Sequence, residues 1–510
     1  MIMDEPEILN GRSKSTSSKK KTLFAHDVMK LALGTVFAQA ISILISPILT
    51  RLYGPEAFGL SALFGGIAGI IGVVACLQYD AAIILPKDDE DAVNLLGLSF
   101  FFVTLVSITT VPVIWLIGPQ ILGLMKATEL NPYIWLIPVA IFVNGALFAL
   151  NYWNSRTKQF GRLSFARVNS TVATAGVQIG ASSIGHATMV GLIFGSLSGS
   201  AVSALVLGGQ IWRDDKMMLC RSLNFKDMVS GLRRYKNFPL YSTWTVLLNT
   251  LSWQVPTFLL SAYFSSTIVG YYYLSMMVFQ LPMSLIASSI SQVFLQHAAE
   301  AKHSGSLSTL VEGSILRLSK LAIFPSLVLL IIGREIFSVI FGAHWTEAGV
   351  YVQILAPWMF FAFMVSPMST LFLVLEKQRM SFAINTLFFP MRIGALVLGG
   401  ILMDARIAIV LFTVTGVIIH GATLIWLVGI SGVPIYGFMA SLARHFAYSM
   451  LFLSPVILAD LFWHSHQFFI VSLACFMAAL YYMVIIKNDD LLKNSILHIY
   501  KGIYSGLNAR

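Results

Sequence analysis

The sequence of 510 residues is poor in charged residues and contains only three cysteines. Lys, Arg, Asp and Glu together make up 11%, against about 25% in a typical soluble protein, while 57% of the residues are hydrophobic. This composition excludes a soluble globular protein and predicts a polytopic membrane protein. Cys76, Cys220 and Cys475 are far apart and show neither metal-ligand nor CxxC spacing, so we expect no metal site and interpret them as inert packing residues.

The sequence also lacks the motifs of the enzyme classes that a membrane protein of this size could represent. It has no GxxxxGK[ST] phosphate-binding loop, which excludes a self-contained ATPase, and no G-x-S-x-G nucleophile elbow. Cysteine and histidine form no cluster, and no predicted outer loop has the size that a glycan polymerase would be expected to need. We therefore predict that the protein is not an enzyme and has no catalytic residues, no cofactor and no metal.

Long apolar runs recur along the whole chain. About twenty apolar residues in a helix cross a hydrocarbon core of roughly 30 Å, and by this measure we predict 14 membrane-spanning helices in an all-α protein. The predicted spans cover residues 28–49, 57–85, 93–117, 132–152, 168–186, 188–211, 238–262, 267–290, 319–341, 348–374, 381–402, 407–430, 446–463 and 467–486. An even number of spans places both ends of the chain on one side of the membrane.

The positive charges indicate which side that is. Nearly all Lys and Arg residues lie in connections on the side of the two ends, whereas the opposite connections hold Arg51, Lys126, Arg334 and Arg406. Because positively charged loops stay in the cytoplasm, we predict that both ends are cytoplasmic. The net charge of +10 is explained in the same way, since these loops face the cytosol and anionic lipid, and no nucleic-acid partner is needed.

A short internal similarity predicts that the chain has two related halves. ILTRLYGPEAFGLSALF after the first span resembles FLLSAYFSSTIVGYYYL after the seventh, which aligns Tyr53 with Phe264 and Gly59 with Gly270. Both segments join an outward span to an inward one, so the halves would be parallel repeats of six spans each around a central cavity, as in many transporters. The predicted organisation is a polar tail (1–26), an N-terminal lobe (27–211), a cytoplasmic linker with an interfacial helix (212–237), a C-terminal lobe (238–430), two further spans (431–486) and a cytoplasmic tail (487–510).

Polar side chains line one face of the first span in each half. In a membrane such groups either bond neighbouring helices or line water. Because the two stripes lie on corresponding helices, we favour a shared polar cavity that binds substrate. The stripes are Thr35, Gln39, Ser42 and Ser46 in the first span, and Tyr241, Thr245, Asn249 and Trp253 in the seventh. The candidate substrate-binding residues among them are Gln39, Ser42, Tyr241, Asn249 and Trp253.

Arg392 is the one basic residue predicted to lie deep within a span, the eleventh. A central arginine costs about 2.5–3.5 kcal/mol on insertion scales, so it needs a partner or a function. It could be a cavity cation that binds an anionic substrate, especially a phosphate. It could equally form a structural pair with an acid or with carbonyl groups of another helix.

Three further ionisable residues, Asp80, Asp460 and His420, lie within spans or at their edges. Either carboxylate could take a proton or Na⁺, and a histidine has a reference pKa suited to proton coupling. We therefore name all three as candidates for ion coupling. The alternatives are that Asp80 and Asp460 are solvated residues near helix ends and that His420 is a hydrogen-bond donor between helices.

Several segments of the sequence resemble one family of transporters. RLYGPEAFG, LQYDAAIILPKDDEDA, NYWNSRTKQFGRLSFARV and FGAHWTEAGVYVQILAPW, with the order and number of spans, resemble the polysaccharide-biosynthesis flippases. These are the Wzx-type, or O-antigen flippase, members of the multidrug/oligosaccharidyl-lipid/polysaccharide (MOP) exporter superfamily. The resemblance covers nearly the whole chain except the first 26 residues.

The resemblance implies a two-lobed bundle of 12 spans with two more at the C-terminal end. Such a protein would move an undecaprenyl-diphosphate-linked oligosaccharide to the outer leaflet of a bacterial inner membrane for O-antigen, capsule or exopolysaccharide synthesis. Alternating access, coupling to H⁺ or Na⁺, and contacts with a polysaccharide polymerase and chain-length proteins are also implied. Two alternatives stay open: a drug or cation antiporter of the same superfamily, which would favour acidic cavity residues, and a membrane glycan polymerase.

Overall fold

The computed structural model describes residues 33–283, 287–462 and 466–489, and every regular element in these ranges is helical. The predicted tail at 1–26 and the part of the predicted C-terminal tail beyond 489 lie outside the described residues. The chain forms two compact units, of which the first ends at Gly270 and the second begins at Tyr271. The prediction of an all-α protein is confirmed.

The helices are numbered in chain order. Those that belong wholly to the first unit are α1 (Leu33–Leu52), α2 (Pro55–Val74), α3 (Tyr79–Ala82), α4 (Asp89–Leu124), α5 (Leu136–Arg156), α6 (Phe160–Ser183), α7 (Met189–Ser222), α8 (Phe225–Arg234) and α9 (Thr243–Tyr263). The unit boundary falls within α10 (Ser266–Pro282). The second unit continues with α11 (Ser288–Ser304), α12 (Leu307–Phe341), α13 (Thr346–Met368), α14 (Leu371–Val374), α15 (Gln378–Ile401), α16 (Ala405–Ile430), α17 (Ile435–Phe462) and α18 (Gln467–Asn488). Each of the 14 predicted spans overlaps a long helix among the described residues.

Eleven helical segments of the described chain are long and apolar enough to cross a membrane. The other three predicted spans correspond to α6, α9 and α10. α10 has only 17 residues, whereas α6 and α9 are interrupted by polar side chains such as Arg167 and Asn249. Polar helices of this kind are stable in a membrane when their polar faces meet protein or water rather than lipid.

α2 and α10 touch at positions that are equivalent in the predicted repeat. A methyl group at Gly59 would overlap the carbonyl oxygen of Ser266, and one at Gly270 would overlap the carbonyl oxygen of Pro55. The repeat aligns Gly59 with Gly270 and Pro55 with Ser266, so each helix makes the same contact with the other. Reciprocal contacts arise when equivalent segments are related by a two-fold axis. Only glycine allows two helix backbones to approach so closely.

The second span is shorter than the predicted range 57–85. α2 ends at Val74, and Leu77 and Gln78 then take positive φ angles of 49° and 61°. Residues other than glycine rarely adopt this left-handed conformation, so the chain makes a strained turn here. The short helix α3 follows this turn, and Asp80 lies in it, beyond the end of the span.

Besides α3, the helices α8 and α11 lie in connections between spans. The interfacial helix predicted within 212–237 is α8, which packs on the start of α4. There, Asn94 donates to the carbonyl of Ser222 at 3.0 Å and accepts from the backbone N–H of Asn224 at 2.9 Å. α11 was not predicted, because the sequence indicated a loop after residue 290. It buries Phe294 and Ala298 in the core of the second unit.

Candidate functional site

Arg392 lies near the middle of α15 and only 4% of its surface is exposed. Its guanidinium carbon is 4.9 Å from the ring centre of Phe388 and 4.9 Å from that of Phe412. Away from water, a cation over an aromatic ring gains about 2 kcal/mol. Two such rings are together enough to offset the cost, about 2.5–3.5 kcal/mol, of a central arginine in a membrane helix.

His420 on α16 contacts the same aromatic side chains. Its ring lies edge-on to Phe388 at 5.0 Å and to Trp358 at 6.2 Å between ring centres. Its Nδ1 is 3.0 Å from the carbonyl oxygen of Gly416, so Nδ1 carries the proton and Nε2 is left as the acceptor. The structure therefore brings together Arg392 and His420, which the sequence suggested for two different roles.

Trp358 on α13 completes this group of side chains. It is buried, its ring centre is 5.3 Å from that of Phe412, and its indole lies where a methyl group on Gly416 would be. Its Nε1 has no hydrogen-bond partner in the part of the chain that the structure describes. We refer to Arg392, His420, Phe388, Phe412 and Trp358 as the arginine–aromatic cluster.

Sequence reasoning missed the aromatic members of the cluster. Phe388 stands four residues before Arg392, and Phe412, Gly416 and His420 recur at intervals of four, so each set lies on one face of its helix. That spacing was a usable signal for each face separately. It does not indicate that the two faces meet.

The polar stripe on α1 is turned inward. Its members, including Gln39 and Ser42, are partly buried, whereas Phe37 is 58% exposed. Ser42 donates to a carbonyl of its own helix at 3.1 Å, and Thr35 accepts a hydrogen bond from the guanidinium of Arg167 on α6. Thr35, at the N-terminal end of the stripe, thus bonds a neighbouring helix, which is one of the two roles expected for polar groups in a membrane.

The polar stripe on α9 is exposed. Tyr241, in the π-helical turn Phe238–Ser242 just before α9, is 69% exposed, and Trp253 is 47% exposed. Asn249 is also exposed, and Trp244 lies on the same face. This face therefore combines aromatic rings with hydroxyl and amide groups.

Asp80 is buried, with 4% of its surface exposed, and its Oδ1 has no hydrogen-bond partner among the described residues. Burial raises the pKa of Asp80 from 3.8 to about 6, and a hydrogen bond from the backbone N–H of Ala81 opposes this shift only in part. The alternative that Asp80 is a solvated residue at a helix end is therefore wrong. α3 carries it into the protein interior instead.

Asp460 lies in the last turn of α17 and is partly buried, which agrees with the predicted position near a helix end. It belongs to the second unit, whereas Asp80 belongs to the first. Among the residues that the structure describes, no group of three or more His, Cys, Asp or Glu side chains could hold a metal ion.

Arg156, at the end of α5, forms several hydrogen bonds with the turn that follows α3. Its guanidinium donates to the carbonyl oxygens of Ile83 at 3.1 Å, Pro86 at 2.7 Å and Asp88 at 3.2 Å, and to the carboxylate of Asp89 at 2.9 Å. Only 9% of the Arg156 side chain is exposed. The geometry of this end of the unit thus rests on one planar cation, because only arginine presents five donors in a fork.

A second set of polar contacts joins the end of α5 and the start of α6 to the C-terminal part of α7. The Nε1 of the buried Trp153 donates to the carboxylate of Asp215 at 3.0 Å, and Arg162 forms an ion pair with Asp214. Within NYWNSRTKQFGRLSFARV, Trp153 therefore holds α5 to α7, and Arg162 holds α6 to α7. They serve the structure of the first unit.

Comparisons with known proteins agree with this architecture. The profile of the family described as polysaccharide biosynthesis protein matches residues 48–350. The lipid II flippase MurJ in an inward closed conformation is similar in structure, with 14% identity, a TM-score of 0.69, and coverage of 89% of this chain and 99% of that chain. An inward-facing multidrug resistance MATE family transporter of the MOP superfamily has 16% identity and a TM-score of 0.61, covering 79% and 96%. No curated protein sequence matches the chain. The structural likenesses show the fold, and they confirm a multi-pass membrane architecture.

Proposed function

Because the chain belongs to the polysaccharide biosynthesis protein family and has the fold of the MOP-superfamily transporters, we propose that it is a flippase for lipid-linked oligosaccharides. It moves undecaprenyl-diphosphate-linked units from the cytoplasmic to the outer leaflet of a bacterial inner membrane, with both ends of the chain in the cytoplasm. The units then enter a surface polysaccharide. Transport proceeds by alternating access and is coupled to H⁺ or Na⁺.

The observation that carries the substrate assignment is the buried cation of the arginine–aromatic cluster. Arg392 stays charged at any physiological pH, and a guanidinium can bind a phosphate through two parallel hydrogen bonds. The rings of Phe388 and Phe412 hold the cation away from water, where its attraction for an anion is strongest. A diphosphate headgroup is the anion that a lipid-linked oligosaccharide presents.

The exposed face of α9 is suited to the sugar part of the substrate. Tyr241 and Trp253 offer flat apolar surfaces with polar edges, and Asn249 offers both a donor and an acceptor. Sugars present apolar ring faces and many hydroxyl groups, so such a surface binds them without requiring a charge. On α1, Gln39 and Ser42 would add hydrogen bonds to the same substrate.

Asp80 is the strongest candidate for ion coupling. A buried carboxyl group with a pKa of about 6 changes its protonation in the pH range of a living cell. His420 would be a second proton carrier through its Nε2, and Asp460 a third ionisable group. Protonation of a buried group changes the relative stability of two conformations, which is what coupling to a gradient requires.

A drug or cation antiporter is the second candidate, since a MATE transporter shares the fold. A cationic substrate would be repelled by Arg392, whereas an anionic one would be attracted. For this reason we favour the flippase. The experiment below separates the two, and it also identifies a polymerase.

The proposal is tested in a strain from which the gene has been deleted. We expect this strain to lose its surface polysaccharide and to accumulate lipid-linked oligosaccharide on the cytoplasmic face of the membrane. The wild-type gene should restore the polymer. Arg392→Ala should restore less than about a tenth of it, because the loss of one charged phosphate contact costs at least about 1.5 kcal/mol. Arg392→Lys, which keeps the charge without the planar fork, should restore an intermediate amount.

The matched control is Arg379→Ala, which removes an exposed arginine at the start of the same helix. At equal protein levels it should restore the polymer fully. Full polymer with Arg392→Ala would contradict the role of Arg392. Normal polymer in the deletion strain with raised sensitivity to cationic drugs would indicate the antiporter. Lipid-linked units that reach the outer face unpolymerised would indicate a polymerase.

A further inference from the structure

α12, α17 and α18 enclose a cavity of about 150 Å³ at one end of the second unit. Its walls include the side chains of Lys320, His445, Tyr448, Tyr481 and Asn488. One water molecule needs only about 10–15 Å³ of such space, so the cavity can hold a group much larger than a single water. A cavity of this size that combines a lysine, a histidine and tyrosine side chains has room and donors for a polyatomic anion.

The charged residues that the structure describes near the cavity include more cations than carboxylates. Lys320 Nζ is 3.4 Å from one carboxylate oxygen of Asp489, and Arg317 Nε is 3.9 Å from the other. Two cations therefore share one carboxylate. Arg444 adds a third cation close enough to His445 to act on it electrostatically. Among the residues that the structure describes, this region therefore has more cations than carboxylates, and a bound anion would neutralise the excess.

Hydrogen bonds within the protein fix the walls of the cavity. Ser319 Oγ and His445 Nδ1 are 2.8 Å apart, which leaves Nε2 of His445 available for another partner. The hydroxyl of Tyr481 donates to the carbonyl of Lys320 at 2.9 Å and accepts from Ser449 at 2.9 Å. Phe324 stacks on Tyr481 at 4.5 Å. The site is therefore already formed, so a ligand would not have to order it.

The cavity lies at the depth of lipid headgroups. Lys320 precedes the end of α12 at Phe341 by 21 residues, and Asn488 follows the start of α18 at Gln467 by 21 residues. At 1.5 Å per residue each distance is about 32 Å, close to the thickness of a hydrocarbon core of roughly 30 Å. With the opposite ends of α12 and α18 at one membrane surface, the cavity is at the other. Tyr448, at its edge, is 38% exposed.

We propose that this cavity binds the phosphate group of an anionic membrane lipid. Basic pockets between transmembrane helices on the cytoplasmic side are recognised sites for such headgroups. Lys320 and His445, which line the cavity, would contact the phosphate, and the hydroxyl of Tyr448 would lie beside it. Arg317, which pairs with Asp489, would add positive charge nearby. Two lipids carry the required chemistry: a bulk anionic phospholipid and the polyprenyl diphosphate of the carrier. The site binds lipid whether or not the chain transports it, so its test is independent of the proposed function.

The test measures lipid retention on the purified, full-length protein by native mass spectrometry. We expect phosphatidylglycerol to bind saturably and at least tenfold more tightly than the net-neutral phosphatidylcholine. Arg317→Gln combined with Lys320→Gln should weaken phosphatidylglycerol binding at least tenfold. Lys320→Arg, which keeps the charge, should retain it. Lys377→Gln, an exposed lysine of the same unit, is the matched control and should bind as the wild type does.

Farnesyl diphosphate is the probe for the second lipid source. If the concentration of farnesyl diphosphate that displaces half of the bound phosphatidylglycerol is lower than the concentration of phosphatidylglycerol that half-saturates the site, the carrier diphosphate is the preferred ligand. If it is higher, the bulk phospholipid is the preferred ligand. Equal binding of the two phospholipids, or unchanged binding by the doubly substituted protein, would overturn the proposal. Lys320→Arg and Lys377→Gln also report on folding. If these two variants and the doubly substituted protein all lost phosphatidylglycerol binding, the substitutions would have damaged the fold, and this result would also count against a specific site.

Discussion

Arg156 holds the turn between α3 and α4 with a single guanidinium, and its removal would leave the partly buried carbonyl groups of Ile83 and Pro86 without this donor. We predict that Arg156→Ala lowers the free energy of unfolding by about 2–3 kcal/mol, as for other hydrogen bonds made by a buried charge. Arg156→Lys should recover only part of this, because an ammonium cannot reach three carbonyls at once. Thermal unfolding of the purified protein measures the change.

Arg213→Ala is the control for that prediction. Arg213 also pairs with an aspartate of the first unit, Asp214, but 78% of its side chain is exposed. An exposed ion pair contributes little, so the unfolding midpoint should not move measurably. Equal midpoints for Arg156→Ala and the wild type would mean that water replaces the arginine without cost.

The raised pKa of the buried Asp80 leads us to predict that the stability of the protein depends on pH. Its carboxyl group has a pKa of about 6 in the folded protein and 3.8 as the ordinary value, so the folded state binds the proton more tightly. Stability therefore falls as pH rises from about 4 to about 6, by about 3 kcal/mol for two pH units. Asp80→Asn should be as stable as the wild type near pH 4 and more stable by up to that amount at pH 7. Unfolding measured at both pH values tests this.

The same variant connects stability with function. If Asp80 carries a coupling ion, Asp80→Asn should be more stable and yet transport poorly, the trade-off expected of a destabilising functional group. A variant that follows the wild-type pH profile would show that the carboxyl group is not desolvated. A variant that is more stable and fully active would remove Asp80 from the coupling mechanism.

Single residues were predictable from the sequence to different extents. The depth of Arg392 followed from its distance to the ends of an apolar run, and the structure buries it as expected. Its aromatic partners did not follow, because Phe388, Phe412 and Trp358 come from three helices whose packing is a tertiary property. Asp80 was placed in a helix that continues to residue 85, and the turn at Leu77 and Gln78 contains none of the glycine or proline residues that signal a break.

At the scale of helices, the close contact of α2 with α10 depends on the absence of a side chain at Gly59. A methyl group there would overlap a backbone oxygen, and neither backbone can move without moving its helix. We predict that Gly59→Ala destabilises the protein by about 1–3 kcal/mol, the usual cost of overpacking. Gly270→Ala should do the same, because its contact with Pro55 is equivalent.

Gly65→Ala on the same helix is the matched control. Among the described residues, no atom outside its own stretch of helix lies within 4 Å of the position that its new methyl group would take. Since alanine favours a helix over glycine by about 1 kcal/mol, this variant should be neutral or slightly more stable. Melting curves of the three variants decide the matter. Similar destabilisation at Gly59 and Gly65 would show that helix flexibility, not close contact, is the relevant property.

Among the elements, the membrane-spanning helices were the most predictable because their length is set by the bilayer. α8 was also foreseen from its mixture of basic and apolar residues. α11 was not: its segment SSISQVFLQHAAEAKHS has charges at one end and too few apolar residues for a span. Phe294 and Ala298 of α11 pack in the core of the second unit, and this tertiary contact could not be inferred from the sequence of the segment.

For the molecule as a whole, the distribution of basic residues predicts the orientation in the membrane, and a native cysteine can report it. Cys220 is exposed near the end of α7 on the side rich in Lys and Arg, Cys76 is buried, and Cys475 lies within α18. A membrane-impermeant maleimide should therefore label Cys220 only after the inner membrane is permeabilised. Cys220→Ser should abolish the labelling.

Labelling of Cys220 in intact spheroplasts would reverse the orientation and place both ends of the chain outside. It would also place the cavity formed by α12, α17 and α18 at the outer leaflet. A second site provides a complementary test. A cysteine introduced in place of Glu129, in the connection between α4 and α5, should be labelled in intact spheroplasts. The two cysteines are expected to give opposite results.

The reciprocal contact of Gly59 and Gly270 also bears on the origin of the chain. Two identical copies of a six-helix ancestor, associated about a two-fold axis, would have made this contact twice with a single sequence. One substitution to glycine would then have improved both contacts at once. Gene fusion would have made the association independent of protein concentration and allowed the copies to diverge. Proline at position 55 and serine at position 266 are then two descendants of one ancestral residue.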